Sequence, residues 1–467
     1  MGELLGQRFV EEKLVTEEQV HKAVERQKLH GGRIGDNIIA LGYTTCEELN
    51  AFQKKKPDPP KTIADTGLDL SFVADLTMKH ILFTGEFTVT DLSESIKLPQ
   101  DILKPILETL RRDQLVEVKG ASKYADHTYR YIITDHGKQR ATELFDICRY
   151  AGPAPVRLDE YKKMVKCQSI ENIVINEEVM SKAFSHIVIS DDILKRLGPA
   201  ISSGKALFIY GPSGNGKTTI AEAIGQILPD TIYIPYSIIV TGQIINIYDP
   251  VNHISVEHEA DNHSDKRWLP IKRPVVMVGG ELTIGMLDLD FNPISKFYEA
   301  PLQMKSNNGL FIVDDFGRQL VAPHILLNRW FVPLERRIDF MVLHTGMKFD
   351  IPFDQLVVFS TNIEPKKLVD EAFLRRIRYK IKIDHPTEDE YLNIFKKLCE
   401  SNEIEFDKEV YDYLLNNYYK RLNVTPNACH PRDILDHIID DAHYFNHSPQ
   451  LTKDRIDTAW QSYFVDM

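Results

Sequence analysis

Residues 211–219 read Gly-Pro-Ser-Gly-Asn-Gly-Lys-Thr-Thr, a glycine-rich turn ending in a lysine and two hydroxyls. Glycines let the chain curl until backbone N–H groups face inward, where they can bind phosphate oxygens. Lys217 adds a cation that can reach the β and γ phosphates, and the Thr218 hydroxyl suits Mg²⁺. Gly211, Pro212, Ser213, Gly214, Asn215, Gly216, Lys217, Thr218 and Thr219 are therefore the candidate residues of a nucleoside triphosphate site. The setting agrees: 206–210 is an apolar strand pattern and 220–228 has helical spacing, so the loop leads into a helix N-terminus whose positive potential favours phosphate.

A second apolar strand, 310–313, ends in the paired carboxylates Asp314 and Asp315. Beside a phosphate loop, two such acids divide the work, with Asp314 helping to hold Mg²⁺ and Asp315 orienting the attacking water.

With these motifs located, residues from about 165 onward resemble the AAA+ ATPases. The strand 356–361 followed by Asn362 resembles the segment carrying that family's first sensor, which orients water. Arg375 and Arg376, in Glu-Ala-Phe-Leu-Arg-Arg-Ile, are similar to its arginine fingers, which reach a neighbouring subunit's γ-phosphate. Arg432, in His-Pro-Arg-Asp-Ile, resembles its second sensor. The resemblance implies ATP and Mg²⁺ as cofactors, ATP hydrolysis, assembly into a ring (a hexamer in the family) and an unidentified protein substrate or partner. A hairpin predicted around His344-Thr345-Gly346 and an insertion at 235–308 are similar to the MoxR-like branch. Asp315 departs from the family, which usually carries Glu there. The shorter side chain is expected to hold water from farther back, and Asp315→Glu to restore the reach and keep or raise turnover, the opposing outcome being a backbone adapted to Asp in which Glu slows it.

These motifs need several domains to position them. The chain has 467 residues, enough for about three domains. We read 1–56 as a small α-helical repeat domain, 57–68 as a linker, 69–150 as an α+β winged helix and 151–164 as a second linker. An α/β P-loop AAA+ domain follows over 165–384 with the insertion 235–308, and a C-terminal helical lid over 385–467. Leu5-Gly6-x-x-Phe9 recurs as Ile34-Gly35-x-x-Ile38, 29 residues later, each copy leading into a helical stretch at 16–28 and 45–55. This repeat resembles the N-terminal domain of GspE, PilB and MshE type ATPases, some of which bind cyclic di-GMP. The resemblance nominates Gly6, Gln27, Arg33, Gly35 and Gly42 as effector-binding residues. The copies depart from the family at Leu4, Lys13, Gln53 and Lys56, so fold resemblance has more support than the ligand.

In the middle region, helical spacing at 69–83, 91–96 and 99–112, two β-like runs at 115–119 and 128–133, and a helix opened by Thr134 give the winged-helix order. Its charge speaks against duplex DNA: residues 65–150 hold 11 Lys and Arg against 14 Asp and Glu, and 11 − 14 = −3. The whole chain has formal net charge −12. We expect a regulatory or remodelling ATPase, with a DNA-binding regulator and a low-turnover ATP-binding switch as the alternatives. No apolar stretch approaches the roughly 18–20 residues of a membrane span, and 1–10 lacks a signal-peptide pattern, so a cytoplasmic location is expected. The five scattered cysteines suggest reduced thiols, and His253, His258 and His263 lack the spacing of a metal site.

Overall fold

A computed structural model describes residues 9–10, 14–31, 34–45, 48, 56–121, 129–173, 175–228, 231–256, 264–369 and 371–464. At the N-terminus, helices α1 (Glu17–His30) and α2 (Ile34–Ala40) pack around Phe9, Val15, Ala23, Ile34 and Ile38. The 29-residue offset recurs in the hydrogen bonds. Leu14 N–H donates to Phe9 O at 2.9 Å and Tyr43 N–H to Ile38 O at 3.1 Å. Thr16 pairs reciprocally with Gln19, and Thr45 with Glu48, both as capping boxes. Leu5, Gly6, Arg33 and most of the expected second helix at 45–55 lie outside the described residues.

The middle region comprises α3 (Leu70–Ile81), β1 (Glu86–Phe87), α4 (Val89–Ile96), α5 (Gln100–Arg112), β2 (Val116–Ala121), β3 (Tyr129–Ile133) and α6 (Asp135–Ile147), its strands forming an antiparallel sheet in the order β1-β3-β2. The buried face of α5, with Ile102, Leu103, Ile106, Leu107 and Leu110, anchors the core.

A strand β4 (Val156–Arg157) and a helix α7 (Leu158–Cys167) follow, occupying much of the stretch 151–164 read as a linker. The prolines at 153 and 155 do keep the chain extended, but Val156 is fully buried and pairs with Ile238. The other linker, 57–68, contains a capped turn of helix at Ile63–Thr66. Buried Arg267 secures both: its guanidinium donates to Asp265 at 2.8 Å, to the Thr66 carbonyl at 3.2 Å and to the Pro155 carbonyl at 3.4 Å. Turn-forming residues mark where regular elements stop; they do not show whether the chain then packs.

The glycine turn and the paired acids lie on a five-stranded parallel sheet. In chain order its members are β5 (Leu207–Tyr210), β10 (Val275–Val278), β13 (Leu310–Val313), β16 (Leu356–Thr361) and β17 (Tyr379–Lys382), and in space the order is β10-β13-β16-β5-β17. The interior strands are apolar throughout because helices cover both faces. On one face Leu207, Ile209, Ile312 and Val358 meet α8 (Asp191–Ser202) and α9 (Lys217–Ile227). On the other, Phe208, Phe311 and Phe359 meet Trp330 of α10 (Pro323–Arg336). The edge strand β10 lies inside the range 235–308 read as insertion, so that range is not one insertion: a core strand interrupts it, with strands of the second sheet on both sides. With Val275 and Met277 about 40% exposed, β10 looks in sequence like any other short apolar run of the insertion.

The insertion contributes β7 (Ser237–Val240), β8 (Gln243–Asn246), β11 (Asp290–Asn292) and β12 (Phe297–Glu299), which join β4 in a second sheet of order β11-β12-β8-β7-β4. Separately, β6 (Thr231–Pro235) pairs with β9 (Trp268–Lys272). The expected hairpin is β14 (Ile338–Val342) with β15 (Lys348–Pro352). It packs Met341, Phe349 and Ile351 against the second sheet. The middle region docks there too: Ile239, Ile244 and Phe297 join its core, and Tyr150 Oη lies 2.7 Å from Ser237 Oγ.

The C-terminal region is helical, with α11 (Glu388–Ser401), α12 (Lys408–Leu414), α13 (His430–Tyr444) and α14 (Lys453–Tyr463) around Phe395, Leu414, Ile434 and Trp460. Among the described residues no helix is long and apolar enough to cross a membrane. Cys148, Cys167, Cys399 and Cys429 are free thiols, and Cys46 is outside the described set.

Removing the Arg267 guanidinium would leave Asp265, 3% exposed, without its bidentate partner. Arg267→Ala is therefore expected to cost about 3–5 kcal/mol and to lower the first thermal unfolding transition in calorimetry. An unchanged transition would refute this account of how the linkers are held.

Candidate functional site

The chain leaves β5 through Gly211, whose φ of 150° and 1.8 Å clearance between an added Cβ and the Ile383 carbonyl oxygen admit no side chain. Gly214 and Gly216, both at φ 75°, complete the turn into α9. Lys217 is 6% exposed and donates to the Pro212 carbonyl at 2.8 Å. Burial pushes its pKa down, against the opposing pull of Asp315 and Asp314. The Thr218 hydroxyl donates to both Asp314 carboxylate oxygens, at 3.0 and 3.1 Å.

Asn362, after β16, donates its amide to Asp315 Oδ1 at 2.9 Å. Asp315 has φ 47°, left-handed backbone that Asp enters more readily than longer side chains. Of the two outcomes open for Asp315→Glu, this backbone favours the one in which the turn is adapted to Asp. The turn is pinned on both sides: Arg318 N–H donates to Asp315 O at 3.0 Å, and Gln319 bonds the Gly317 N–H at 2.8 Å and the Asp314 carbonyl at 2.7 Å.

The helical region closes over this floor. Cys429 N–H donates to the Gly214 carbonyl at 2.8 Å, and Ala428 N–H to Asn215 Oδ1 at 3.1 Å. Arg432 follows on α13 and lines the same cleft, about 660 Å³ in volume. One end of the cleft carries the glycine-turn residues, Asp314, Asp315 and Asn362. The rest is walled by apolar side chains including Ile187, Ile189, Ile193, Ile394 and Leu398. Sequence reasoning missed this wall and also Arg318, which lines the charged end. The run His-Ile-Val-Ile-Ser at 186–190 could have drawn attention to the wall, because it sits between helices with no partner strand of its own.

Arg375 and Arg376 do not line the cleft. Arg375 is 77% exposed beside Glu371, whereas Arg376 lies 3.5 Å over the Phe331 ring and 3.6 Å from Glu335. Of the effector candidates, Gln27 is on α1, buried Gly35 is in α2 and Gly42 follows α2 at φ 71°, while Gly6 and Arg33 lie outside the described residues. His253 spends both ring nitrogens locally, accepting from Asp249 N–H at 2.9 Å and donating to the Lys305 carbonyl at 2.8 Å. His258 and His263 are outside the described residues, among which no cluster of three His, Cys, Asp or Glu side chains could hold a metal ion.

Residues 387–462 match a family model described as a domain of unknown function (DUF8689). No curated protein matches the chain. Solved structures with some likeness include NtrX from Brucella abortus in complex with ADP, at 12% identity and TM-score 0.35, covering 61% of this chain and 54% of that one. Another is the Thermotoga maritima RuvB Holliday junction branch migration motor, at 14% identity and TM-score 0.32, covering 65% and 74%. A third is the complex of magnesium chelatase subunits BchI and BchD, at 16% identity and TM-score 0.33, covering 60% and 95%.

Two expectations follow from the geometry. If the cleft hydrolyses a nucleotide with Asp315 accepting the water proton, Asp315→Asn should keep nucleotide affinity while turnover falls roughly 100-fold, since the amide cannot accept that proton. Asp315→Glu should slow turnover as well, because a longer side chain in left-handed backbone costs roughly 1 kcal/mol and shifts the turn. Steady-state rates and nucleotide titrations check both, and full turnover by the Asn variant would remove Asp315 from the site. A further expectation concerns His430, the first residue of α13, whose pKa burial pushes down to about 4. The unfolded imidazole takes its proton near its ordinary value of 6.5. Its neutral burial therefore contributes fully above that pH and is lost as pH falls toward about 4. Denaturant midpoints from pH 7.5 to 4.5 should fall less steeply in His430→Gln than in the parent, and equal slopes would contradict it.

Proposed function

We propose that this chain is an AAA+ ATPase that binds ATP with Mg²⁺ between the parallel sheet and the helical lid, hydrolyses it, and works as an oligomeric remodelling or regulatory machine. One observation carries the reading: a single cleft holds the glycine turn, Lys217, the Thr218–Asp314 pair and the Asp315–Asn362 pair. The hydroxyl and carboxylate are hard oxygen donors suited to Mg²⁺, which takes few protein ligands when phosphates supply the others. When bound, the ion would neutralise charge on the β and γ phosphates.

In this reading the loop amides and Lys217 hold the phosphate chain, and the apolar wall holds the base. Asp315, oriented by the Asn362 amide, accepts a proton from water as its oxygen attacks the γ-phosphorus. The bond from that phosphorus to the β–γ bridging oxygen breaks, giving ADP and phosphate. Arg375 is the stronger candidate for a finger acting on a neighbouring subunit, because it projects into solvent while Arg376 is held over Phe331. The winged-helix reading of the middle region goes with protein contact. On α5, Lys104 is paired with Asp101 at 3.2 Å, and the net charge of −3 over residues 65–150 counts against a phosphate backbone although Arg111 and Arg112 are exposed.

Lys217→Ala should abolish ATP binding measured by calorimetry, and parent-like affinity would overturn the assignment. Mixing an Arg375→Ala, Arg376→Ala double variant with Asp315→Asn should recover turnover at mixed interfaces. No recovery, with a specific rate independent of protein concentration, would refute a finger supplied in trans. Tight ATP binding with negligible turnover in the assembled protein would favour a switch over a motor.

A further inference from the structure

We infer that Arg318 is the cation that distinguishes a nucleoside triphosphate from a diphosphate in this cleft, contacting the γ-phosphate from within the same chain. The inference rests on the ATP-site reading and adds a residue to it. Arg318 lies three residues after Asp315 and lines the cleft with Lys217, Thr218, Asp314, Asp315 and Asn362. Its guanidinium is exposed, and the structure gives it no ion pair or side-chain hydrogen bond among the described residues.

Other basic groups near the site differ. Lys217 is folded onto the Pro212 carbonyl, Arg375 is beside Glu371, and Arg376 is stacked on Phe331. Arg432 also lines the cleft, but enters it from the lid on α13. Arg318 alone of these is mounted on the turn that carries the two acids.

That turn is rigid, which gives the guanidinium a defined place. Its backbone N–H returns to Asp315 O at 3.0 Å, Gln319 clamps the Gly317 N–H and the Asp314 carbonyl, and Leu320 N–H donates to the Gly280 carbonyl at 3.0 Å. Gly317 sits at φ 108°, a conformation L side chains rarely adopt, and an added Cβ would lie 2.6 Å from Leu368 Cδ2. An unpaired arginine beside Asp314 and Asp315 would ordinarily neutralise one of them. Here Thr218 and Asn362 engage the carboxylates, leaving the planar fork for an anion. A terminal phosphate, with several equatorial oxygens, suits bidentate recognition.

The test compares a non-hydrolysable ATP analogue with ADP in calorimetric titrations of the full chain with Mg²⁺. Arg318→Ala should weaken the analogue roughly 10- to 100-fold and leave ADP unchanged. Arg318→Lys should recover part of the loss, because charge is retained and the fork is not. Equal weakening of both nucleotides, or no weakening of either, would overturn the inference, and an unchanged thermal transition excludes misfolding as the cause. Lys217→Ala in the same series separates the two levels: if that variant binds both nucleotides normally, the ATP-site reading itself fails. If it binds neither while Arg318→Ala discriminates nothing, only the role of Arg318 fails.

Discussion

The candidate site depends on parallel strand register. Val313 stands opposite Phe359, and Thr361 opposite Tyr210. Hydrogen bonding between parallel neighbours therefore brings β5, β13 and β16 to an end along one edge, and the residue after each strand emerges there: Gly211, Asp314 and Asn362. Backbone bonds just beyond the strands keep the row in order, from Phe316 N–H to the Ser360 carbonyl at 2.7 Å and from Asp314 N–H to the Val278 carbonyl at 2.8 Å. The spatial order β10-β13-β16-β5-β17 places β5 between two later strands, so a crevice opens where the chain's path reverses.

The lid rests on that edge by short contacts. Besides the two N–H bonds from Ala428 and Cys429, Gly214 meets the Cys429 thiol so closely that a Cβ would come to 2.6 Å from it. Directly beneath, His430 Nδ1 lies 3.0 Å from Tyr419 Oη, which lies 2.7 Å from Tyr391 Oη. This buried chain links α11 and α13 to the segment touching the glycine turn. A shift of the turn must therefore be felt by the lid helices, because close-packed interiors transmit displacement.

The second sheet links the remaining parts. Its inner side chains meet the hairpin β14–β15, where His344 stacks on Phe291 with ring centroids 4.3 Å apart. The middle region adds its own core residues to the same sheet, and Lys296 reaches the Asp146 carbonyl at 2.6 Å. The hairpin's other face leaves Phe340 55% and Val342 50% exposed. The middle region and the hairpin thus share one platform inserted into the unit that carries the glycine turn.

The sequence alone determined the glycine turn at 211–219, the strands flanking it, the pair Asp314 and Asp315 at a strand end, the N-terminal repeat and the element order of the middle region. Each is local: glycine spacing, a run of apolar residues, a capping pair such as Thr16 and Gln19. Only tertiary structure decided that Val275–Val278 belongs to the core sheet, because an edge strand of four residues carries the same pattern as an insertion strand. It alone turned the supposed linkers into packed chain, since Arg267 finds its partners at Thr66 and Pro155 far away in sequence. It also decided that Arg318 faces the cleft while Arg375 and Arg376 do not. The direction of an exposed side chain depends on the turn beneath it, and that turn is held by hydrogen bonds with Gln319 and Gly280 that no sequence period encodes.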